Sequence, residues 1–285
     1  MSQGVLQGFE LALYEVTDNT LLHSQVHPDS AEAVGYVMAQ YHKAHRCIVV
    51  AVFDLGQGIP ASLGKSGFHC SSHAEALAAA VQQGVGDGCG AGNGLWMMER
   101  VVSHSRGSFE LTSDGARYAV RHHSNSETPK PSFSSVSSFK EGTTLVDFQL
   151  HTNQPLDIPS FLNYEPVNLW VDNHTVDFAL SSSSSREVLL VSVARESRGC
   201  ASRYEAKTFA TMIGNLMESS LNLCVLDFSD IPLVSASFAD ELLLRLIERF
   251  GITTVIQRIS FHNLSATNMA MFDHCFQQRL FDDNR

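Results

Sequence analysis

The chain has 285 residues, 44% of them hydrophobic and 17% charged, a composition that buries a core and excludes a wholly disordered polymer. Its length gives a prior of about two domains. With 30 acidic against 19 basic residues the net charge is −11, which argues against general binding to nucleic-acid phosphates or anionic lipid.

No apolar run reaches the roughly 18 residues of a membrane helix, and Met1–Glu10 lacks the basic start and apolar stretch of a signal peptide. The six cysteines form no CxxC pair and read as reduced, mostly buried thiols, so the expected location is cytoplasmic. In chain order, apolar spacing through Leu6, Phe9, Leu13, Val16 and Leu21 predicts a helix over Gly4–Ser24. Asp29 is a plausible N-cap for a second helix to about His45, and Ile48–Phe53 reads as a buried strand. Helices are predicted over Ala74–Gln83 and Leu95–Ser103. Phe109–Thr112 and Arg117–Arg121, flanking Ser113-Asp114-Gly115-Ala116, predict a hairpin. The Ser/Pro/Lys-rich stretch 124–142 reads as a loop within a domain, since the strand-like Thr143–Leu150 follows it. Three prolines in 153–166 mark a linker between domains at 1–152 and 167–285. Beyond it, the run Ser181–Ser185 reads as a loop. Then come strand Val188–Val193, helix Ser202–Ser219, strand Cys224–Phe228, helix Ala236–Arg249, strand Thr253–Gln257 and helix Ser265–Phe276. The alternation predicts an α/β layer fold, with short crossovers indicating parallel neighbours.

Three motifs carry chemistry. Glu15 and Asn19 lie four residues apart on the opening helix and share a face, where a carboxylate can deprotonate water and an amide oxygen can help hold Mg²⁺. Asp54-Leu55-Gly56-Gln57-Gly58-Ile59 lies where a strand ends, with an acceptor suited to an adenine amino group and glycines that admit close approach. Gly88-Cys89-Gly90-Ala91-Gly92-Asn93-Gly94-Leu95 runs into a helix, so that backbone N–H groups can face phosphate oxygens. This glycine run lacks the Lys-Ser/Thr ending of a P-loop and follows a helix rather than a Rossmann strand.

Together and in this order the motifs resemble the N, G1 and G2 boxes of the GHKL ATPase superfamily, over roughly residues 4–152. The resemblance implies a Bergerat-type α+β sandwich that binds ATP and Mg²⁺. It makes Glu15 the hydrolytic base, Asn19 the Mg²⁺ ligand and Asp54 the adenine acceptor, with Gly56, Gly58 and Ile59 packed at the base. Gly90, Gly92, Asn93, Gly94 and Leu95 would wrap the phosphates, Pro60–Gly88 would be the lid, and Thr143 and Thr144 of Gly142-Thr143-Thr144 would close the adenine side. Within the lid, His69 and His73 supply only two of the three or four ligands of a zinc site, so that segment reads as an exposed tip. The family has strand and helix structure ahead of the N-box helix, so either a protein partner, a homodimer mate or the second domain is expected to supply it, or the chain is abbreviated.

Leu226-Asp227-Phe228-Ser229-Asp230-Ile231 and Ser235-Ala236-Ser237-Phe238-Ala239-Asp240-Glu241 resemble a STAS-like module, over about 186–285. Some such modules are switched by phosphorylation of a serine after the second strand. The matching position is Ala236, and Ser235 and Ser237 read instead as a helix N-cap. Asp240 and Glu241 read as first-turn carboxylates favoured by the helix dipole, and the doublet His122-His123 reads as surface. The implied function is an ATPase switch read by the second module. The alternatives are an anti-sigma-factor-type serine/threonine kinase and a sensor or scaffold that binds ATP without turnover. The chain shows neither the dimerisation helices of a transmitter histidine kinase nor the transducer and DNA-binding surface of a topoisomerase.

Overall fold

The computed structural model describes residues 1–24, 35–88, 90–122, 129–137, 141–162, 188–219 and 223–281, and the chain divides into two compact units, 1–161 and 162–285. The predicted loop at Ser181–Ser185, and Cys89 and His123, lie outside the described residues.

Unit 1 is built on a six-stranded sheet: β1 (Gly35–His42), β2 (Cys47–Asp54), β3 (Ser108–Ser113), β4 (Ala116–Arg121), β5 (Ser132–Ser135) and β6 (Thr144–His151). The strand order is β1-β2-β6-β3-β4-β5, and every described pairing is antiparallel. Alternation in β2 and β6 sends Val50, Val52, Val146, Phe148 and Leu150 into the core and leaves Val49, Ala51, Phe53 and Leu145 half-exposed. Against the sheet pack α1 (Val5–His23), α3 (His73–Ala80) and α4 (Gly94–His104), which gives the expected α+β sandwich. The short α2 (Ile59–Lys65) packs on α3 around Leu63, Ala76, Ala79 and Ala80, with Ile59, Val85 and Leu95 beside them. The expected exposed tip is exposed at His69, Ser71, Ser72 and His73. A last turn, α5 (Ile158–Phe161), forms in the proline-bearing stretch, and Leu156, Ile158 and Phe161 are buried.

The helix expected from Asp29 to His45 is corrected: 29–34 lie outside the described residues, and 35–42 are β1, paired along its full length with β2. The local helical signal is weak in Gly-Tyr-Val-Met-Ala-Gln-Tyr-His. A neighbouring strand offering eight registered partners outweighs it.

Unit 2 has three parallel strands, β7 (Val188–Ser192), β8 (Leu223–Asp227) and β9 (Ile259–His262), in that order. Its helices are α6 (Val193–Glu196), α7 (Arg203–Ser219), α8 (Ala236–Phe250), α9 (Ile252–Arg258) and α10 (Ala266–Phe281). The strand expected at Thr253–Gln257 is corrected. Those residues lie in α9, which starts after Gly251 at φ 76° and buries Val255; the strand comes after it, at β9. Ser235 is the N-cap of α8, its hydroxyl accepting from the N–H of Phe238 at 3.0 Å. Asp240 and Glu241 lie beyond the first turn, so the dipole does not explain them. Buried Asp240 pairs with Arg279 of α10 at 2.7 Å, and Glu241 with Arg245 at 2.7 Å.

Candidate functional site

The N-box pair lies on the buried side of α1. Glu15 is only 1% exposed, an unusual burial for a glutamate on a helix that already buries Leu11, Ala12 and Val16. Opposite it begins α4, whose first residue is Gly94. A Cβ there would lie 2.9 Å from Glu15 Oε2 and 3.1 Å from Asn19 Nδ2, so glycine is what lets the helix N-terminus reach both side chains. Asn93, the N-cap residue, is buried and its Oδ1 accepts from the N–H of Gly84 at 3.3 Å. Gly92, at φ 69°, presses on the backbone of Gly84 and Val85. Gly90 and Leu95 bracket the same turn, Leu95 packed on the α2–α3 core. The N-box pair and the glycine run are thus brought together, with the positive end of an eleven-residue helix between them.

Asp54 ends β2 on the helix side of the sheet. Register sets it beside Thr144 of β6, and Thr144 beside Ser113 of β3, so the three form a row across three strands at one sheet end. Asp54 is 8% exposed, and its Oδ1 has no hydrogen-bond partner among the described residues. Burial pushes its carboxyl up to about 6, against a smaller opposing pull from the N–H of Gly56. A buried acceptor without a donor costs free energy unless a ligand supplies one. The glycines of 54–59 are spent on close approach. A Cβ on Gly56 would lie 2.6 Å from Asp54 Oδ1 and 2.6 Å from the carbonyl of His23, and Gly58, at φ 76°, abuts the Asp114 carboxylate. The N–H of Ile59 donates to Ser113 Oγ at 3.0 Å, which in turn donates to the carbonyl of Thr143 at 2.9 Å. Thr143 and Thr144 are buried.

Sequence reasoning misses several contacts around the site. Ser113 and Asp114 stood out only as a hairpin turn, and nothing local separates such a turn from any other. His23 approaches Asp87 at 3.7 Å and Gln57 at 3.4 Å, and Lys65 donates to Gln57, contacts that exist only after folding. Among the described residues no three His, Cys, Asp or Glu side chains group as a metal site, and no helix is long and apolar enough to cross a membrane.

The donor set fits a purine nucleotide with a divalent ion: a buried acceptor without a partner among the described residues at one end, a helix N-terminus opened by Gly94 at the other, and Asn19 and Glu15 beside it. Comparison with curated proteins finds no match. Among solved structures the chain is similar to the ATPase region of Saccharomyces cerevisiae topoisomerase II. That match has 16% identity and a TM-score of 0.33, covering 57% of this chain and 40% of that one. The same region bound to ICRF-187 (dexrazoxane) matches at 16% identity and 0.32, over 54% and 41%. The 43K ATPase domain of Thermus thermophilus gyrase B, in complex with an aminocoumarin, matches at 16% and 0.29, over 54% and 38%. The chain therefore spans well under half the length of these relatives, and likenesses of this size bear on neither its chemistry nor its partners. In unit 2, residues 224–269, from β8 into α10, match the family model described as a STAS-like domain of unknown function (DUF4325), and the C-terminal domain is STAS-like.

Proposed function

We propose that unit 1 binds Mg·ATP, hydrolyses it slowly, and acts as a switch whose nucleotide state is read through the STAS-like unit. The observation that carries this reading is the buried Asp54 Oδ1, which has no hydrogen-bond partner among the described residues, at the end of a strand and beside Gly56, where a side chain would crowd it. An adenine amino group supplies that donor. Gly56, Gly58 and Ile59 line the base and Thr143 and Thr144 its far side. Gly90, Gly92, Asn93, Gly94 and Leu95 turn backbone N–H groups and the start of α4 toward the phosphates. Asn19 would hold Mg²⁺, which when bound neutralises phosphate charge. Glu15, beside Gly94 at the start of α4, would act as the general base that orients a water and takes its proton. Ala236, at the position where a phosphorylated serine is expected, argues against transfer to the chain's own second unit.

The test is equilibrium ATP binding together with γ-labelled ATP, following free phosphate and label on protein. Asp54→Ala should lose binding by at least about tenfold, the scale of one charge-assisted hydrogen bond. Glu15→Ala should keep binding and lose phosphate release. Undiminished binding by the first variant would remove Asp54 from the site, and label on protein would make the unit a kinase.

A further inference from the structure

The turn joining β3 to β4 does more than reverse the chain. Asp114 and Gly115 have φ of 47° and 77°, the two left-handed residues of a tight Asp-Gly hairpin. Asp114 Oδ1 accepts from the N–H of Gly142 at 2.6 Å, and its carboxylate lies against Gly58. Its main-chain carbonyl accepts from His73 Nδ1, in the first residue of α3, at 2.8 Å. Its neighbour Ser113 ties Ile59 to Thr143. One two-residue unit therefore holds three separate segments: 56–59, 142–144 and the start of α3. Those segments frame the row that contains Asp54.

We propose that Ser113 and Asp114 form a clasp that positions the base-binding frame and thereby sets the preference for adenine over guanine. The inference rests on the ATP reading given above. Both residues are positioning residues; neither is assigned a contact with the reacting atoms. The physical reason concerns the base edge. Adenine presents an amino donor where guanine presents a carbonyl acceptor, so a base pressed against the Asp54 carboxylate is welcomed in one case and repelled in the other. That discrimination lasts only while the frame holds the base in place. If Gly142 and Gly58 lose their common anchor, the base can tilt away from Asp54 and the repulsion of guanine relaxes. His73 extends the clasp to the lid, because α3 hangs from the same turn.

The experiment measures dissociation constants for ATP and GTP on the full chain, with KM and kcat for ATP. Asp114→Gly keeps the backbone geometry and deletes the acceptor. It should weaken ATP about tenfold, leave kcat within about twofold and lower the ATP-over-GTP ratio by a similar factor. Asp114→Asn tolerates a left-handed φ and still offers an acceptor to Gly142, so it should restore both values. Ser113→Ala, which keeps Asp114 in place, should move the ratio in the same direction and serves if the glycine variant fails to fold. His73→Ala should leave the ratio unchanged and speed protease cutting within 60–88. An unchanged ratio in both Asp114→Gly and Ser113→Ala would overturn the clasp, as would an asparagine variant as impaired as the glycine one. Unchanged cutting of His73→Ala would remove α3 from it. Wild-type protein that binds neither nucleotide would overturn the ATP reading itself, and the clasp with it.

Discussion

Asp54 illustrates what a functional side chain costs the fold. Its carboxyl is raised by burial from 3.8 to about 6, so the folded state holds its proton more tightly than the unfolded chain does. The sign follows. The contribution favours folding below about pH 4, is lost as pH rises through 6, and leaves a penalty of about 3 kcal/mol at neutral pH. Asp54→Asn removes the titrating group, so urea titrations from pH 4 to pH 8 should show a flatter stability profile and a gain above pH 6. In the wild type, ATP affinity should weaken severalfold between pH 7 and pH 5, because a protonated carboxyl is a poorer acceptor. An affinity that is flat with pH would separate Asp54 from the ligand. The cysteine thiols behave oppositely in consequence if not in direction: burial pushes Cys200 up to about 12 and Cys224 to about 11, which leaves both as inert core groups.

Among the elements, the segment from α2 to Gly88 differs from a plain loop. It carries two helices with an apolar cluster of its own, it shares Leu95 and Ile59 with the borders of the site, and it is tied to the β3–β4 turn through His73. Closure over phosphate would therefore carry α2 and α3 as a packed pair rather than melt α3. A non-hydrolysable ATP analogue should therefore slow protease cutting within 60–88, and the remaining cuts should fall near 81–88 rather than inside α3. Most of these elements could be read in the sequence, because α1, β2, α4, the hairpin and α8 each carry their own periodicity or cap. Besides the loop expected over 124–142, where Ser132–Ser135 form β5 on the edge of β4, two failures share one cause. At β1 and at α9, residues with mixed local preference took the state their neighbours dictated: pairing with β2 in the first case, and the glycine start at 251 ahead of a delayed strand in the second. The site divides in the same way. Glu15, Asp54 and Gly94 stand out as motif positions, whereas Ser113 and Asp114 matter through segments about 30 to 55 residues away, which the registers of β2, β6 and β3 bring near.

At the scale of the molecule, an antiparallel α+β unit with the candidate site is followed by a parallel, STAS-like unit without comparable burial of unpartnered carboxylates among its described residues. The switch reading requires that nucleotide on the first be felt by the second. Adding the ATP analogue should change amide exchange in 236–250, and exchange that stays the same there while slowing around Asp54 would leave a nucleotide-binding unit that signals elsewhere. The strand order of the first unit also governs how the chain emerges during synthesis. β2 lies between β1 and β6, and the end of that pairing is sealed by Thr152 bonding to Arg46 across 106 residues. A ribosome therefore extrudes the apolar β2 long before its inner neighbour exists, with only the uncharged β1 to shelter one side. Until residue 151 clears the exit tunnel the nascent unit has a sheet it cannot close, so its apolar strand stays open to wrong pairings for longer than a local hairpin would.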